Sequence, residues 1–366
     1  MRIFLFVPQL RTGGAQQVAI LLSSGLASLN HDVYIVTAKL EGELIQRVNS
    51  RCKLVDLKAG KPIRACRGLA KLVNEMKPDA VICFGIYTGI AAALSKLSWE
   101  LSPAFIIRNE NNLHVDWEQA TALNRLIGPL LSRWAARQAH IVAVSRALAP
   151  ATSSYLGIPP TEVTVIPNPV IDDTSNPAPM PDANLHYSLR ERTLPTFIAM
   201  GRLEHQKGFD VLIDAFALVK QRTQARLVIF GQGSLREKLQ AQIDRLGLKE
   251  DIALAGHTDH PMTQMGAAHA FVLSSRFEGF GLVLVEALAA GTRVIATDCD
   301  YGPSEILENG RFGSLVPVEN AEALADAMLD SLRNPDSSTR PGNEWFEQFT
   351  ATEAARQHVA LIQSLL

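Results

Sequence analysis

Short, nearly unbroken apolar runs recur along this chain, each separated from the next by room for a helix, and that rhythm is its tightest constraint on fold. The first half carries runs at 3–7, 33–37, 80–84, 104–107, 141–144 and 163–166. The second half carries runs at 196–200, 227–230, 252–254, 270–273 and 293–297. A strand with one wet face alternates apolar and polar residues, whereas a continuous apolar strand is covered on both faces. Helical patterns between the runs supply the covering layers, so the expectation is an α/β chain built on parallel sheets. At 366 residues the chain exceeds one comfortable core, which favours two such domains.

The join is marked by Pro167-Asn168-Pro169 and by the aperiodic stretch through Asp172, Asp173, Pro177, Pro179 and Pro181. Proline density of this kind reads as an interdomain connection. The expected organisation is a first Rossmann-like domain over 1–170 and a linker over 171–194. A second Rossmann-like domain follows over 195–348, and a terminal helix over 349–366.

Composition narrows the function classes. Hydrophobic residues at 47% and charged residues at 20% are ordinary globular values, and a net charge of −2 gives no reason to invoke nucleic acid. Cys52, Cys66, Cys83 and Cys299 are scattered without metal-binding spacing, so free thiols in a reducing, cytoplasmic compartment are expected. No stretch of 18 apolar residues offers a spanning helix, and Met1 to Leu10 is too short for a signal peptide and has no cleavage site.

Chemistry concentrates in a few loops. In Ser275-Arg276-Phe277-Glu278-Gly279-Phe280-Gly281-Leu282-Val283-Leu284-Val285-Glu286, two carboxylates eight positions apart flank the start of a helix expected over 282–290. Glycines there let a ligand approach the main chain, and the unpaired N–H groups of the first helical turn can receive phosphate or hydroxyl oxygens. In Met200-Gly201-Arg202-Leu203-Glu204-His205-Gln206-Lys207-Gly208-Phe209-Asp210, a strand leads through a loop into a helix. Arg202 and Lys207 on that loop can clamp a pyrophosphate, one as a fork and one as a point charge. Gly13-Gly14 lies between the first strand and first helix, where backbone can again meet phosphate or substrate. Gly231-Gln232-Gly233 follows another strand but lacks the third glycine of a dinucleotide fingerprint.

Together these stretches resemble the retaining GT-B glycosyltransferases of family 4, also called glycosyl transferases group 1. The Glu278-x7-Glu286 pair, the Gly201-Arg202-Leu203 to Lys207-Gly208 loop, the Gly13-Gly14-Ala15 turn and Gly302-Pro303-Ser304-Glu305-Ile306-Leu307 carry the resemblance. It is dense over about 195 to 320, and in the first half rests on architecture and the glycine pair. It implies two Rossmann-like doubly wound domains facing each other across a cleft, with the last helix crossing back to the first domain. It also implies transfer of a hexose or N-acetylhexosamine, with retention, from a nucleoside diphosphate sugar, UDP-linked by expectation, and without a metal or other cofactor. Arg202 and Lys207 would then hold the diphosphate, Glu278 the sugar and Glu286 the ribose. Phe280, Gly281 and Leu282 would offer backbone N–H groups, with Gly13, Gly14, Gly201, Gly231 and Gly233 close to the donor. The Asp298-x-Asp300 pair spells a metal motif of a different glycosyltransferase architecture and is assigned no metal here.

Relatives of that family carry a histidine or acid after the fifth strand of the first domain. Here that place reads Arg108-Asn109-Glu110-Asn111-Asn112-Leu113-His114-Val115-Asp116, making Glu110 the nearest equivalent in position and His114 in chemistry. Arg108 could meet an acidic or phosphorylated acceptor, or form a structural salt bridge. The resemblance points to a glycan or polyprenyl-diphosphate-linked acceptor used in polysaccharide biosynthesis. Leu123, Leu126, Ile127, Leu130, Leu131 and Trp134 share a stretch with Arg125, Arg133 and Arg137, and Lys61, Arg64, Arg67 and Lys71 form a second basic group. That pattern suits either a core-facing helix or a peripheral helix on the inner face of a membrane. Two other readings stay open: an epimerase or phosphorylase on the same fold, and a noncatalytic nucleotide-sugar-binding subunit.

Overall fold

A computed structural model describes residues 1–118, 121–174, 185–191, 193–334 and 339–366. They divide into two compact units, Met1–Asn176 with Phe346–Leu366, and Pro177–Trp345. Within the linker expected over 171–194, residues 175–184 and 192 lie outside the described residues.

The first unit holds a parallel sheet of β1 (Arg2–Val7), β2 (Asp32–Thr37), β3 (Lys53–Asp56), β4 (Ala80–Phe84), β5 (Ala104–Asn109), β6 (His140–Ala143) and β7 (Val163–Val165). Its spatial order is β3-β2-β1-β4-β5-β6-β7. The second unit holds β8 (Thr196–Met200), β9 (Arg226–Phe230), β10 (Ile252–Gly256), β11 (Ala270–Leu273), β12 (Arg293–Thr297) and β13 (Ser314–Val316), in the order β10-β9-β8-β11-β12-β13. Both are doubly wound: the order reverses between β1 and β4 in one sheet and between β8 and β11 in the other. The two Rossmann-like domains expected from the apolar rhythm are therefore present.

Two strands escape that rhythm. β3 and β13 are edge strands, where β3 has no fully buried residue and β13 has one. An edge strand covered on one side needs no continuous apolar run, so it leaves a weaker trace. By contrast, every residue of β4, β5, β8 and β11 is buried. One face of the first sheet sends Phe4, Phe6, Val36, Val81, Cys83 and Ile107 against Leu69, Val73 and Ile90 from helices. Each such side chain contributes about 1.5–3 kcal/mol by leaving water.

The terminal helix, Ala351–Leu365, belongs to the first unit, as the resemblance implies. It packs along the Gly14–Ser28 helix, and a bridge between Ile171 and Thr350 ties its entry. Gly25 is the closest point: a Cβ there would stand 2.0 Å from the Ala351 carbonyl oxygen. Thr350 caps the helix through the Glu353 N–H.

The same helix reaches the end of β5 through His358. Arg108, fully buried, donates from Nη1 to His358 Nε2 (2.7 Å), from Nη2 to Asn168 Oδ1 (2.6 Å) and from Nε to Glu110 Oε1 (3.0 Å). Because arginine only donates, His358 Nε2 must accept, and its Nδ1–H donates to the Ala354 carbonyl (2.6 Å). Burial, reinforced by the Arg108 charge, pushes the His358 pKa down to about 3.

Two outcomes follow for stability. Gly25→Val should lower the melting temperature by several degrees, at the usual cost of about 1–3 kcal/mol for overpacking, and limited proteolysis should release the C-terminal segment sooner. For His358, the unfolded chain binds a proton near pH 6.5 that the folded chain refuses until about pH 3. Its contribution is thus complete above pH 6.5 and falls away as the pH drops toward 3. Denaturant midpoints measured from pH 7.5 down to 4.5 should decline less steeply in His358→Gln than in the wild type.

Candidate active site

Ligands of doubly wound sheets sit beyond the carboxyl ends of the strands where the order reverses. In the second unit that point lies between β8 and β11, and the loops leaving those two strands carry Lys207 and Glu278. Lys207 Nζ and Glu278 Oε1 are 2.5 Å apart, with side chains 14% and 7% exposed. Ser275 Oγ donates to the same oxygen at 2.6 Å. The other Glu278 oxygen has no hydrogen-bond partner among the described residues, which leaves it able to accept from a hydroxyl.

The loop after β8 depends on Gly208. Its φ of +60° is a left-handed conformation, and a Cβ would fall 2.1 Å from the Ser274 carbonyl oxygen. Only glycine fits both conditions at no steric cost. That close approach brings Ser274 Oγ to the Lys207 carbonyl at 2.8 Å and the Arg276 N–H to the Gln206 carbonyl at 2.8 Å. Gln206 Nε2 answers by donating to the Phe277 carbonyl at 3.0 Å. Arg202 is exposed at the start of this loop and donates to Gln206 Oε1 (3.2 Å), not to a carboxylate.

Gly281 caps the Leu282–Ala289 helix from a φ of +93°, so the helix begins directly after the loop of Glu278. Phe280 is buried behind it, Leu282 supplies its first turn, and Glu286 is 6% exposed about one turn inside. A helix start presents unpaired N–H groups and the positive end of the helix dipole. The glycines after β8 and β9 are packing contacts between loops. A Cβ on Gly231 would meet the Gly201 carbonyl at 1.8 Å, and one on Gly233 the Leu203 carbonyl at 2.5 Å. Glu204 clasps the same turn by accepting from the Ser234 N–H (2.9 Å) and Oγ (2.8 Å), bonds that hold its pKa below the usual carboxylate range.

Several participants were not visible as such in the sequence. Ser275 stands three residues before Glu278 and could have been suspected as its hydrogen-bond partner. The Cys299 thiol, pushed up to about 12 by burial and then by the Glu278 charge, is a neutral group beside the pair. Thr297 Oγ1 donates to the Ser275 carbonyl at 2.6 Å and so braces the loop from β12. Asp298 accepts from the Ser304 hydroxyl, and the Asp300 carbonyl accepts from the Glu278 N–H at 3.4 Å. Both aspartates of the DxD pair thus lie in contacts that brace this neighbourhood.

The remaining sequence candidates belong to the first unit. Gly13 caps the Gly14–Ser28 helix from an extended conformation, and Gly14 is exposed. Glu110, its side chain 8% exposed, is engaged by buried Arg108 in a structural salt bridge. His114 is exposed, with its ring edge-on to Tyr155 at 4.5 Å. Among the described residues no helix is long and apolar enough to cross a membrane.

Two family models match the chain: Glycosyltransferase Family 4 over residues 12–174 and Glycosyl transferases group 1 over residues 185–347. A similar protein in Campylobacter jejuni is N-acetylgalactosamine-N,N'-diacetylbacillosaminyl-diphospho-undecaprenol 4-alpha-N-acetylgalactosaminyltransferase, 36% identical over 137 residues. That match covers 37% of each chain. The phosphatidyl-myo-inositol mannosyltransferase of Mycobacterium leprae is 36% identical over 179 residues, 48% of this chain and 45% of that protein. The matched part thus spans less than half the length of these curated relatives. Among solved structures, Anabaena Alr3699/HepE in complex with UDP superposes with a TM-score of 0.80 at 19% identity, covering 100% of both chains, a likeness of fold.

Proposed function

Because the chain belongs to glycosyltransferase family 4, we propose that it transfers a hexose or N-acetylhexosamine from a nucleoside diphosphate sugar to an acceptor hydroxyl, with retention at the anomeric carbon. The observation that carries this reading is the meeting of Lys207, Glu278 and Ser275 at the β8/β11 reversal, beside a helix start. A cation, a half-satisfied carboxylate and a set of backbone donors match a ligand combining phosphates with sugar hydroxyls. Charge builds on the departing diphosphate, where Arg202, Lys207 and the helix dipole stabilise it. These groups take the part that a divalent metal plays elsewhere, so no metal is required. Glu278 holds the sugar and Glu286 the ribose.

The acceptor hydroxyl attacks on the face that the diphosphate leaves, and the diphosphate itself helps to take the proton. Of the first-unit candidates, exposed His114 is better suited than Glu110 to an acceptor-side role, since Glu110 already neutralises Arg108. UDP is the favoured nucleotide, supported by the UDP named in the Anabaena complex. A polyprenyl-diphosphate glycan is the favoured acceptor, supported by the diphospho-undecaprenol in the name of the Campylobacter relative.

Such an acceptor resides in a membrane, and one helix suits its surface. Along Ala122–Ala136 the small residues Gly128, Ser132, Ala135 and Ala136 face inward, while Leu123 (67% exposed), Leu126 (75%) and Leu130 (68%) face solvent. That inverts the usual amphipathic pattern. The Ile86–Lys96 helix packs on this helix and on the Pro62–Ala65 turn, whose Ile63 is exposed beside the exposed cations Lys61, Arg64 and Arg67. We infer a peripheral contact with anionic lipid through this face.

For the donor site, UDP and UDP-sugars should raise the melting temperature of the wild type. Lys207→Ala or Arg202→Ala should weaken UDP by about 10- to 100-fold, the range for one charge-assisted hydrogen bond. Product made with a lipid-diphosphate acceptor in the presence of EDTA should keep the donor's anomeric configuration. Epimerisation or phosphorolysis in place of transfer, or binding without turnover, would contradict the reading. For the membrane, co-sedimentation with anionic vesicles should be lost in Leu126→Glu/Leu130→Glu while the UDP-induced thermal shift persists. Equal sedimentation of both proteins would refute the lipid contact.

A further inference from the structure

Lys207 and Glu278 ride on two separate loops, and nothing in the local chain fixes the distance between them. The side chain that bridges those loops most extensively is Arg276. Its Nη1 and Nη2 donate to Asp210 Oδ1 (2.9 Å) and Oδ2 (2.8 Å), a parallel fork on the first turn of the Phe209–Lys220 helix. Nη1 also donates to the His205 carbonyl at 2.8 Å, two residues before Lys207. Nε donates to Glu319 Oε1 at 2.6 Å, on the segment that follows β13.

Glu319 holds a φ of +59°, a conformation that non-glycine residues adopt only when their surroundings demand it. One guanidinium, 12% exposed, therefore gathers the connections leaving β8, β11 and β13. The hydrogen bonds it donates to Asp210 raise the Arg276 pKa. Burial alone would raise the Asp210 carboxyl, but the fork, the Arg276 charge and the Asp210 and Val211 N–H groups together hold that pKa below the usual range.

We propose that Arg276 is a positioning residue for the donor site: by clamping Asp210, His205 and Glu319, it holds the Lys207 loop against the Glu278 loop and sets the geometry that captures the diphosphate. This inference rests on the assignment of the site to a nucleoside diphosphate. Arg276 acts through Lys207, with four of its five N–H donors spent on protein acceptors. Lysine cannot replace it, since a point charge cannot reproduce the fork. The backbone links between the loops remain without it, so the fold persists while the loops loosen.

Calorimetric titration with UDP tests this in wild type, Arg276→Ala, Arg276→Lys, Asp210→Asn, Lys207→Ala and Arg276→Ala/Lys207→Ala, with melting temperatures recorded for each. Arg276→Ala should weaken UDP by about tenfold, with Arg276→Lys and Asp210→Asn falling between it and the wild type. In the Lys207→Ala background the same substitution should cost less than about twofold, because the group being positioned is gone. If Arg276→Ala proves too unstable to titrate, Asp210→Asn, also combined with Lys207→Ala, applies the same test with little change of shape. An equal loss in both backgrounds, or none in either, would overturn the positioning role. UDP binding that falls in Lys207→Ala but keeps wild-type affinity in Arg276→Ala would sink this inference alone, whereas no binding by the wild type would remove the donor site and the inference together.

Discussion

One ion pair, Lys207 with Glu278, joins two strand-to-helix loops, and the arrangement of the second unit's carboxyl edge depends on it. Taking two charges out of water costs several kcal/mol per ion, and their attraction only partly offsets this. Removing one partner alone would strand the other, at about 3–5 kcal/mol. The pair is therefore weak as a source of stability and strict as a constraint on sequence. A ligand bearing phosphates and hydroxyls gives each partner a second task, which accounts for keeping both.

Around that pair the fold repeats one device. Strand ends supply short polar side chains: Ser274 and Thr297 donate to the Lys207 and Ser275 carbonyls and so brace the loops, while Ser275 donates to the Glu278 carboxylate. Glycine at 208 allows the two main chains to touch. Arg276 adds the charged clasp. In the first unit, Arg108 does comparable work for a different end: it joins β5, Asn168 and the terminal helix, with Glu110 supplying the neutralising charge. Buried Arg108 and partly buried Arg276 illustrate how a polar contact can specify which segments meet without contributing much net stability.

The sequence was most legible where physics imposes a period. Continuous apolar runs placed β1, β4, β5, β8 and β11 because burial on both faces leaves no room for polar residues. β3 and β13 were missed because an edge strand is only half covered. Gly281 and the helix after it were readable from local chemistry alone. The contacts of Arg276 were not, because Asp210 and Glu319 lie 66 and 43 residues away and meet it only through sheet order. The partnership of Arg108 with His358 spans 250 residues and is equally silent in sequence. For the Ala122–Ala136 helix, composition left both faces open, and only packing showed that the small residues turn inward.

The most direct measurement is a crystal structure of the protein soaked with UDP-sugar. The account predicts density at the carboxyl edge of β8 and β11, with Lys207 Nζ and the Arg202 guanidinium on the diphosphate, the first-turn N–H groups of the Leu282–Ala289 helix directed at it, and Glu278 accepting from a sugar hydroxyl. A ligand bound elsewhere, with Lys207 and Glu278 still closed on each other, would contradict it.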